Sequence, residues 1–172
     1  MLKRWLWPLL AGIIVAALTC YIALLAVPRG LMSVAHGRLA KVGVNAMHHA
    51  QLATDKARTV VRPSPDLAYS SCPFDLSVGP VLVDVAPVAA PYWSLSVFDG
   101  RTNSAFVRNN LQSGGAGLKV ALIRDGQSPP TGYQPVSVPS NKGIALIRIL
   151  VPNRAAFGPI DAARRKSGCR QA

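Results

Sequence analysis

The sequence predicts a mainly β protein with antiparallel strands, preceded by two helices and followed by a short one. Apolar and polar side chains alternate over residues 81–86 and 92–98, which is the period-two pattern of strands. Residues 5–27 form an uncharged apolar segment, and apolar side chains then recur every three or four positions over residues 31–58. These two patterns predict a transmembrane helix and an amphipathic helix.

The composition allows one compact domain in addition to a membrane anchor. The chain has 172 residues, a formal net charge of +12 and 50% hydrophobic residues. Beyond the apolar segment, 17 basic residues stand against seven acidic ones, all of which are Asp. This surplus favours an acidic partner, either anionic lipid headgroups or an anionic envelope polymer. A nucleic-acid partner is disfavoured, because the basic residues are scattered and no aromatic platform is interleaved with them.

Residues 5–27 are long enough to cross a bilayer. As a helix these 23 residues extend about 35 Å, and the hydrocarbon core is about 30 Å thick. A cleaved signal peptide is the alternative, but residues 25–28 offer no good cleavage site. We therefore expect an anchor at residues 1–28, a helical connector at 29–61 and a β domain at 62–172.

The cysteines indicate on which side of the membrane the β domain lies. The positive-inside rule leaves the orientation open, because both flanks of the anchor carry basic residues. Beyond the anchor, Cys72 and Cys169 form an isolated pair that suits one disulfide, with two unpaired thiols as the alternative. A disulfide requires an oxidising compartment. We therefore expect a single-pass protein of the bacterial inner membrane whose C-terminal domain is in the periplasm.

The predicted amphipathic helix contains two adjacent histidines, His48 and His49. Adjacent helical side chains point about 100° apart, and no carboxylate lies at a matching turn, so a packed or solvated helix surface is favoured over a metal site. Cys72 and Cys169 have no neighbouring ligand at the spacing of a zinc site. We expect neither a metal nor another cofactor.

Two polar loops flank the predicted strands and carry the candidate functional residues. Prolines break the chain into a loop at residues 62–66, and residues 99–103 form the tip of an antiparallel hairpin. The candidate pocket consists of Asp66, Tyr69, Trp93, Asp99 and Asn103. A desolvated carboxylate pair could perform acid–base chemistry. The structural alternatives are carboxylates that close turns and aromatic rings that fill the core.

The C-terminal part continues the same architecture. Residues 118–124 and 144–151 are predicted strands, and Asn153 is a candidate N-cap for a terminal helix. Basic residues 164–166 would lie near the C-terminus of that helix, where cations interact favourably with the helix dipole. The glycines at residues 114–117 lack the spacing of a phosphate-binding loop and predict a plain turn.

Several spaced motifs in the central part resemble the bacterial family called domain of unknown function 1254. They are Arg62, Pro63, Pro65, Asp66, Tyr69 and Ser70, then Asp75, Leu76, Ser77, Gly79 and Pro80, then Tyr92, Trp93, Asp99, Thr102 and Asn103. The resemblance covers residues 60–156. It departs from the usual entry loop P-N-x-D-T-x-Y-S, because Ser64 stands near the expected Asn and residues 67–68 near the expected Thr.

The resemblance implies a mainly antiparallel β domain, a sandwich or jelly-roll-like fold, of the kind found in envelope proteins. In that family a second β domain of unknown function, number 1214, often follows. We interpret no segment of this sequence as that companion domain.

Two functions of different classes follow from these observations. The first is a membrane-anchored periplasmic binding or assembly module, whose partner is a separate chain carrying the companion β domain or another copy of itself. The second is an envelope enzyme that acts on a small or lipidic substrate through loop carboxylates. The enzyme requires Asp66 and Asp99 to share one cleft, and a separation of more than about 10 Å would contradict it.

Overall fold

The computed structural model describes residues 2–54, 57 and 62–172. It begins with one long helix, α1 (Leu2–Leu39). Among the described residues, this is the one helix long and apolar enough to cross a membrane, with a mean hydropathy of 2.6 over its most apolar window. Every residue of α1 from position 4 to position 27 is exposed. Met32 and His36 are the first buried side chains, so the β domain contacts only the last turns of the helix.

The predicted amphipathic helix is not confirmed beyond Leu39. A short 3₁₀ turn (Ala40–Val42) follows α1, and Gly43 then adopts a φ of 139°, which ends the helical geometry. Asn45 also has a positive φ of 54°. Its side chain hydrogen-bonds the backbone N–H and C=O of Asp75 at 2.7 and 3.1 Å, which ties this segment to a strand. The rest of the predicted helix includes residues 55–56 and 58–61, which lie outside the described residues.

The β domain consists of two sheets. Its strands are β1 (His48–His49), β2 (Leu67–Asp75), β3 (Val81–Val85), β4 (Trp93–Phe98), β5 (Ser104–Asn109), β6 (Leu118–Ile123), β7 (Gln134–Ser137), β8 (Lys142–Leu150) and β9 (Gly168–Gln171). The first sheet has the order β1-β2-β8-β4-β5 and is antiparallel throughout. The second has the order β7-β6-β3-β9. A helix, α2 (Arg154–Arg164), lies between β8 and β9 in the chain.

Alternate residues of both sheets contribute to one hydrophobic cluster. In the five-stranded sheet, Leu95 and Ile147 are buried in it, and Val83 and Val120 join it from the four-stranded sheet. Because side chains alternate across a strand, the residues between them lie on the outer faces of the two sheets. The disulfide Cys72–Cys169 links β2 to β9, and hence one sheet to the other.

Most of the predicted elements are confirmed. The four predicted strands correspond to β3, β4, β6 and β8, the hairpin with its tip at residues 99–103 joins β4 to β5, and Asn153 caps α2 through a 2.9 Å bond from the Ala156 N–H. The sheets are not wholly antiparallel, because β7 pairs with β6 in parallel. The ten-residue connection between them, with Pro129, Pro130 and Gly132, returns the chain to the end from which β6 started.

Four strands, β1, β2, β7 and β9, lie where the sequence predicts no strand. Residues 67–74 show no strand pattern in the sequence and are expected to continue the entry loop, yet they form most of β2, which pairs with β8 over its whole length. Their composition, with Pro73 and three polar residues, hides the strand pattern. The chain end forms β9 along β3.

Candidate functional site

The sheet register separates the two predicted loop carboxylates. Asp66 precedes Leu67, which lies opposite Leu150 at the end of β8. Asp99 follows Phe98, which lies opposite Ile144 near the start of the same strand. Six residues of β8 separate these two positions, about 20 Å at the rise of a strand. The predicted cleft shared by Asp66 and Asp99 is therefore wrong, and with it the proposed pair of catalytic carboxylates.

Asp99 closes the β4–β5 turn. It is 1% exposed, and its Oδ1 accepts hydrogen bonds from the backbone N–H groups of Arg101 and Asn103, both at 2.8 Å. Its Oδ2 accepts from Nδ2 of Asn103 at 3.0 Å. The carboxylate stabilises a turn in which Thr102 has a φ of 67°. Asp99 and Asn103 thus act together, but as the structural alternative predicts.

The two aromatic candidates lie on opposite faces of the five-stranded sheet. Trp93 is 1% exposed and belongs to the hydrophobic cluster. Tyr69 lies on the outer face, where its hydroxyl accepts a hydrogen bond from the Ser64 N–H at 3.1 Å. Of the predicted site residues, Tyr69 is therefore the one that lies on the outer face beside Arg148, where buried polar atoms have no hydrogen-bond partner among the described residues.

We call this surface the outer row: Tyr69, Arg148 and Ser94, which lie side by side on β2, β8 and β4. Arg148 is directly opposite both Tyr69 and Ser94 in the sheet register. One guanidinium nitrogen of Arg148 donates to Oγ of Ser96 at 3.2 Å. Within the described part of the chain, Nε of Arg148 and Oγ of Ser94 are buried without a hydrogen-bond partner. The outer row therefore contains polar groups whose hydrogen-bonding capacity the described residues leave unused, beneath the half-buried side chain of Arg148.

Sequence reasoning missed Arg148, Ser94 and Ser96. The alternation of serines with Trp93 and Leu95 on β4 was visible, and it assigns the serines to the outer face. A serine on an outer face is ordinary, however, and only the register of β8 shows that an arginine lies beside two of them. The sequence shows the serines and the arginine, but that they are neighbours follows only from the pairing of β4 with β8.

A second polar surface lies on the four-stranded sheet. We call it the basic groove; it has a volume of about 550 Å³ and is lined by Lys119, Lys166 and Arg170 together with Asp84 and Tyr133. Arg170 forms an ion pair with Asp84. The Tyr133 hydroxyl donates to Asp84 Oδ1 at 2.9 Å and accepts from Arg170 at 2.7 Å. The hydrogen bond to Asp84 raises the pKa of Arg170.

Arg164 of α2 is buried and joins three segments of the chain. Its guanidinium donates to the backbone oxygen of Tyr69 at 2.6 Å, to Oγ of Ser70 at 3.1 Å and to the backbone oxygen of Ala50 at 2.5 Å. Asp161 supplies the counter-charge at 2.5 Å. Burial lowers the pKa of Arg164, and the hydrogen bond that Arg164 donates to Asp161 opposes that shift. The guanidinium of Arg164 is therefore occupied by partners within the protein, and it serves as a structural junction between these segments.

His49 lies beside this junction. Nδ1 of His49 lies 2.8 Å from Oγ of Ser70, which also accepts a hydrogen bond from Arg164; which of the two groups donates depends on the tautomer of the ring. Burial, followed by the positive charge of Arg164, lowers the pKa of His49. Protonation of His49 places a positive charge in a partly buried position beside the guanidinium of Arg164.

Acidification should therefore destabilise the protein through His49. The unfolded chain takes up the histidine proton at the ordinary value of about 6.5, while the folded chain does so only at lower pH. In that interval the unfolded state binds more protons, so stability falls as pH decreases below about 6.5. We expect the thermal midpoint of the full chain in detergent to decrease there, and His49→Gln to reduce the decrease. The neighbouring His48→Gln is the control, and equal pH dependence of both variants would contradict this role of His49.

Within the described ranges, no group of three or more His, Cys, Asp or Glu side chains is placed to hold a metal ion. His48 and His49 instead form β1, where Nε2 of His48 contacts the backbone oxygen of Gly43 at 3.1 Å. The predicted disulfide between Cys72 and Cys169 is confirmed, with a sequence separation of 97, and Cys20 in α1 is free and exposed.

Two crystal structures share the fold. The VPA0106 protein from Vibrio parahaemolyticus matches with a TM-score of 0.68 at 16% sequence identity, over 88% of this chain and 36% of that chain. An uncharacterised protein from Burkholderia cenocepacia matches with a TM-score of 0.50 at 16% identity, over 78% of this chain and 36% of that chain. This chain thus spans little more than a third of either structure. No curated protein sequence matches it.

The sequence profile of the family described as protein of unknown function DUF1254 matches residues 44–171. This range is wider than the 60–156 indicated by the motifs, and it extends from the residues before β1 to the end of β9. It contains the outer row, the basic groove and both cysteines of the disulfide. Because the match covers well over half of the 172 residues, the chain belongs to the DUF1254 family.

Proposed function

We propose that the protein is a membrane-anchored binding or assembly module of the cell envelope. The observation that carries this proposal is the outer row, in which buried polar atoms of Arg148 and Ser94 have no partner among the described residues. A buried donor without an acceptor costs about 1–3 kcal/mol. A partner that supplies acceptors to the half-buried Arg148 and draws its side chain outward removes that cost, so part of the binding free energy is already stored in the free protein.

The partner we propose is a separate chain that carries the companion β domain. Two observations support it. The solved structures with this fold are almost three times as long as the part that this chain matches. The acceptors that Arg148 and Ser94 lack are groups that any protein surface supplies, namely backbone carbonyls and carboxylates. A second copy of this chain is the alternative occupant.

The finer architecture and the location belong to the same proposal. A sandwich of jelly-roll-like character is supported by the single buried cluster to which both sheets contribute. A single-pass inner-membrane anchor is supported by the exposed apolar length of α1. A periplasmic β domain is supported by the disulfide, because such bonds persist in oxidising compartments. The oxidation state of Cys72 and Cys169 in intact cells tests this location.

Replacing Ser94 should reduce binding of the partner chain without reducing the stability of the fold. Ser94→Ala removes a buried hydroxyl that has no partner in the free protein, so we expect unfolding in denaturant to be unchanged or shifted upward by up to about 1 kcal/mol. Capture of the chain with the companion β domain, by crosslinking in membranes and mass spectrometry, should fall several-fold. Arg148→Ala should reduce capture further, since it removes a guanidinium that forms charge-assisted bonds.

Arg101→Ala is the matched control, because Arg101 is an exposed cation at the β4–β5 turn, away from the outer row. It should leave capture unchanged. Recovery of monomer alone from wild-type membranes would contradict the assembly proposal. Recovery of crosslinked copies of this chain alone would replace the companion chain by self-association. A clear loss of stability in Ser94→Ala would show that the hydroxyl has a structural role instead.

A further inference from the structure

We propose that the basic groove is a binding site for a phosphoryl group, carried by a phosphomonoester or phosphodiester. The groove lies on the outer face of the four-stranded sheet, whereas the outer row belongs to the other sheet. This inference therefore does not depend on the proposed assembly function, and a failure of either leaves the other standing.

The charge of the groove is positive after its internal ion pair is counted. Lys119, Lys166 and Arg170 reach it from β6, from the turn after α2 and from β9. Asp84 is the single acidic side chain in the lining, and Arg170 already neutralises it. Both lysines are exposed and contribute the remaining two positive charges. An anionic ligand is the species that this lining attracts.

The arginine in the groove is held in a fixed position. Its Nη1 donates to Asp84 and its Nη2 to the Tyr133 hydroxyl, which itself donates to Asp84. The strand that carries it, β9, is fixed to the other sheet by the disulfide at the preceding residue, Cys169. A fixed guanidinium loses little entropy when it binds an anion, and Nη1 and Nη2 each keep one further N–H that can donate to a phosphate oxygen.

The lysines and the floor complete the site. Nζ of Lys119 lies 6.0 Å from the centre of the Tyr133 ring, a cation–π contact that keeps it over the groove. Lys166 lies next to Ser167, whose hydroxyl accepts from the Ala86 N–H at 3.0 Å and holds the turn against the sheet. At Gly117, in the floor, a Cβ would approach the backbone oxygen of Val85 to 2.4 Å, so any larger residue would displace this part of the groove.

The ligand class follows from these donors. Three positively charged side chains from separate elements suit an anion with several oxygens and at least one full charge, which a phosphoryl group provides. A planar carboxylate uses the guanidinium but leaves the two lysines without acceptors. Phosphoryl groups are available next to a membrane from two sources, namely lipid headgroups and soluble phosphate compounds.

The test is a titration of the full chain in neutral detergent with inorganic phosphate, followed by isothermal calorimetry. We expect saturable binding in the millimolar range or tighter, and a loss of at least about tenfold in the Lys119→Ala/Lys166→Ala double variant. Arg170→Lys keeps the charge but not the fork of donors, so it should also weaken binding. The matched control is Arg101→Ala/Arg154→Ala, which removes the same charge from exposed positions outside the groove and should change the affinity less than twofold.

A second arm distinguishes the two sources. Nanodiscs that contain the full chain are prepared with phosphatidylglycerol or with neutral lipid only, and each is titrated with inorganic phosphate. Competition by the anionic lipid would identify the headgroup as the occupant, while unchanged affinity would identify a soluble phosphate compound. Equal weakening in the groove variant and the control, or an absence of saturation in wild type, would overturn the phosphoryl site. An unaltered thermal midpoint of the variants verifies that they fold.

Discussion

Arg164→Leu should destabilise the protein by about 3 kcal/mol. The substitution removes the donors to the backbone oxygens of Ala50 and Tyr69 and to the hydroxyl of Ser70. The Tyr69 oxygen keeps the N–H of Ala50 at 3.0 Å and Ser70 keeps His49 at 2.8 Å, so the cost comes from the lost charge-assisted bonds, about 1.5–3 kcal/mol each, and from the space that leucine fills only in part. The Asp161 carboxylate keeps Arg165 as a partner, so an unpaired charge does not add to this cost.

The neighbouring arginine is a matched control. Arg165 binds the same carboxylate at 2.7 Å, but its side chain is 53% exposed, whereas that of Arg164 is fully buried. Exposed ion pairs contribute about 0–1 kcal/mol, so Arg165→Leu should change the free energy of unfolding by less than 1 kcal/mol. Denaturant unfolding of the full chain in detergent, followed by tryptophan fluorescence, measures both. Equal effects of the two substitutions would contradict the role of burial.

Arg164 also shows how far the sequence predicts this structure. The sequence places residues 164–166 at the C-terminal end of a helix, and the helix is there. From the sequence alone the three basic residues are equivalent, since each fits the helix dipole. The structure buries the first and exposes the other two, because Arg164 is on the face of α2 that contacts β2. Which face of a helix is buried is decided by a distant strand, and that strand was interpreted as a loop.

The same limit applies to the candidate site. Local patterns correctly predicted the hairpin around Asp99, because turn residues and alternation are encoded within a few positions. Grouping Asp66 with Asp99 required a long-range register, and here the prediction was wrong. The basic groove could not be predicted for the same reason, since its residues come from β3, β6, β9, the loop before β7 and the turn after α2. The cysteines are the exception, because an isolated pair leaves only one intramolecular pairing.

Loss of the disulfide should have the largest effect on stability. The bond closes a loop with a sequence separation of 97, and the loop-closure entropy of the unfolded chain corresponds to about 4–5 kcal/mol. The expected loss is the difference in the free energy of unfolding between the oxidised chain and Cys169→Ala, or between the oxidised and the reduced wild type. Cys20→Ala should have no such effect, since Cys20 is free and lies in α1.

The structure also predicts which strand opens first when the disulfide is lost. Cys169 holds β9, an edge strand whose one hydrogen-bonded neighbour among the described strands is β3. Without the bond to Cys72, β9 should open before the rest of the four-stranded sheet, and faster hydrogen exchange at Gly168–Gln171 would report it. Arg170 lies on this strand, so phosphate binding should weaken on reduction while the β4–β5 hairpin remains protected. Uniform exchange across both sheets after reduction would contradict this order of opening.

The same two cysteines test the location in cells. In a periplasmic domain, both thiols should resist alkylation until a reductant is added, because the oxidised pair has no free thiol. Reaction of Cys72 and Cys169 without reductant, in a chain that is folded and inserted in the membrane, would place the domain in a reducing compartment. The disulfide contributes about 4–5 kcal/mol to the stability of the domain, and a typical domain has a total stability of about 5–15 kcal/mol. Because one bond supplies so large a share, the domain is reliably folded only in a compartment where that bond persists.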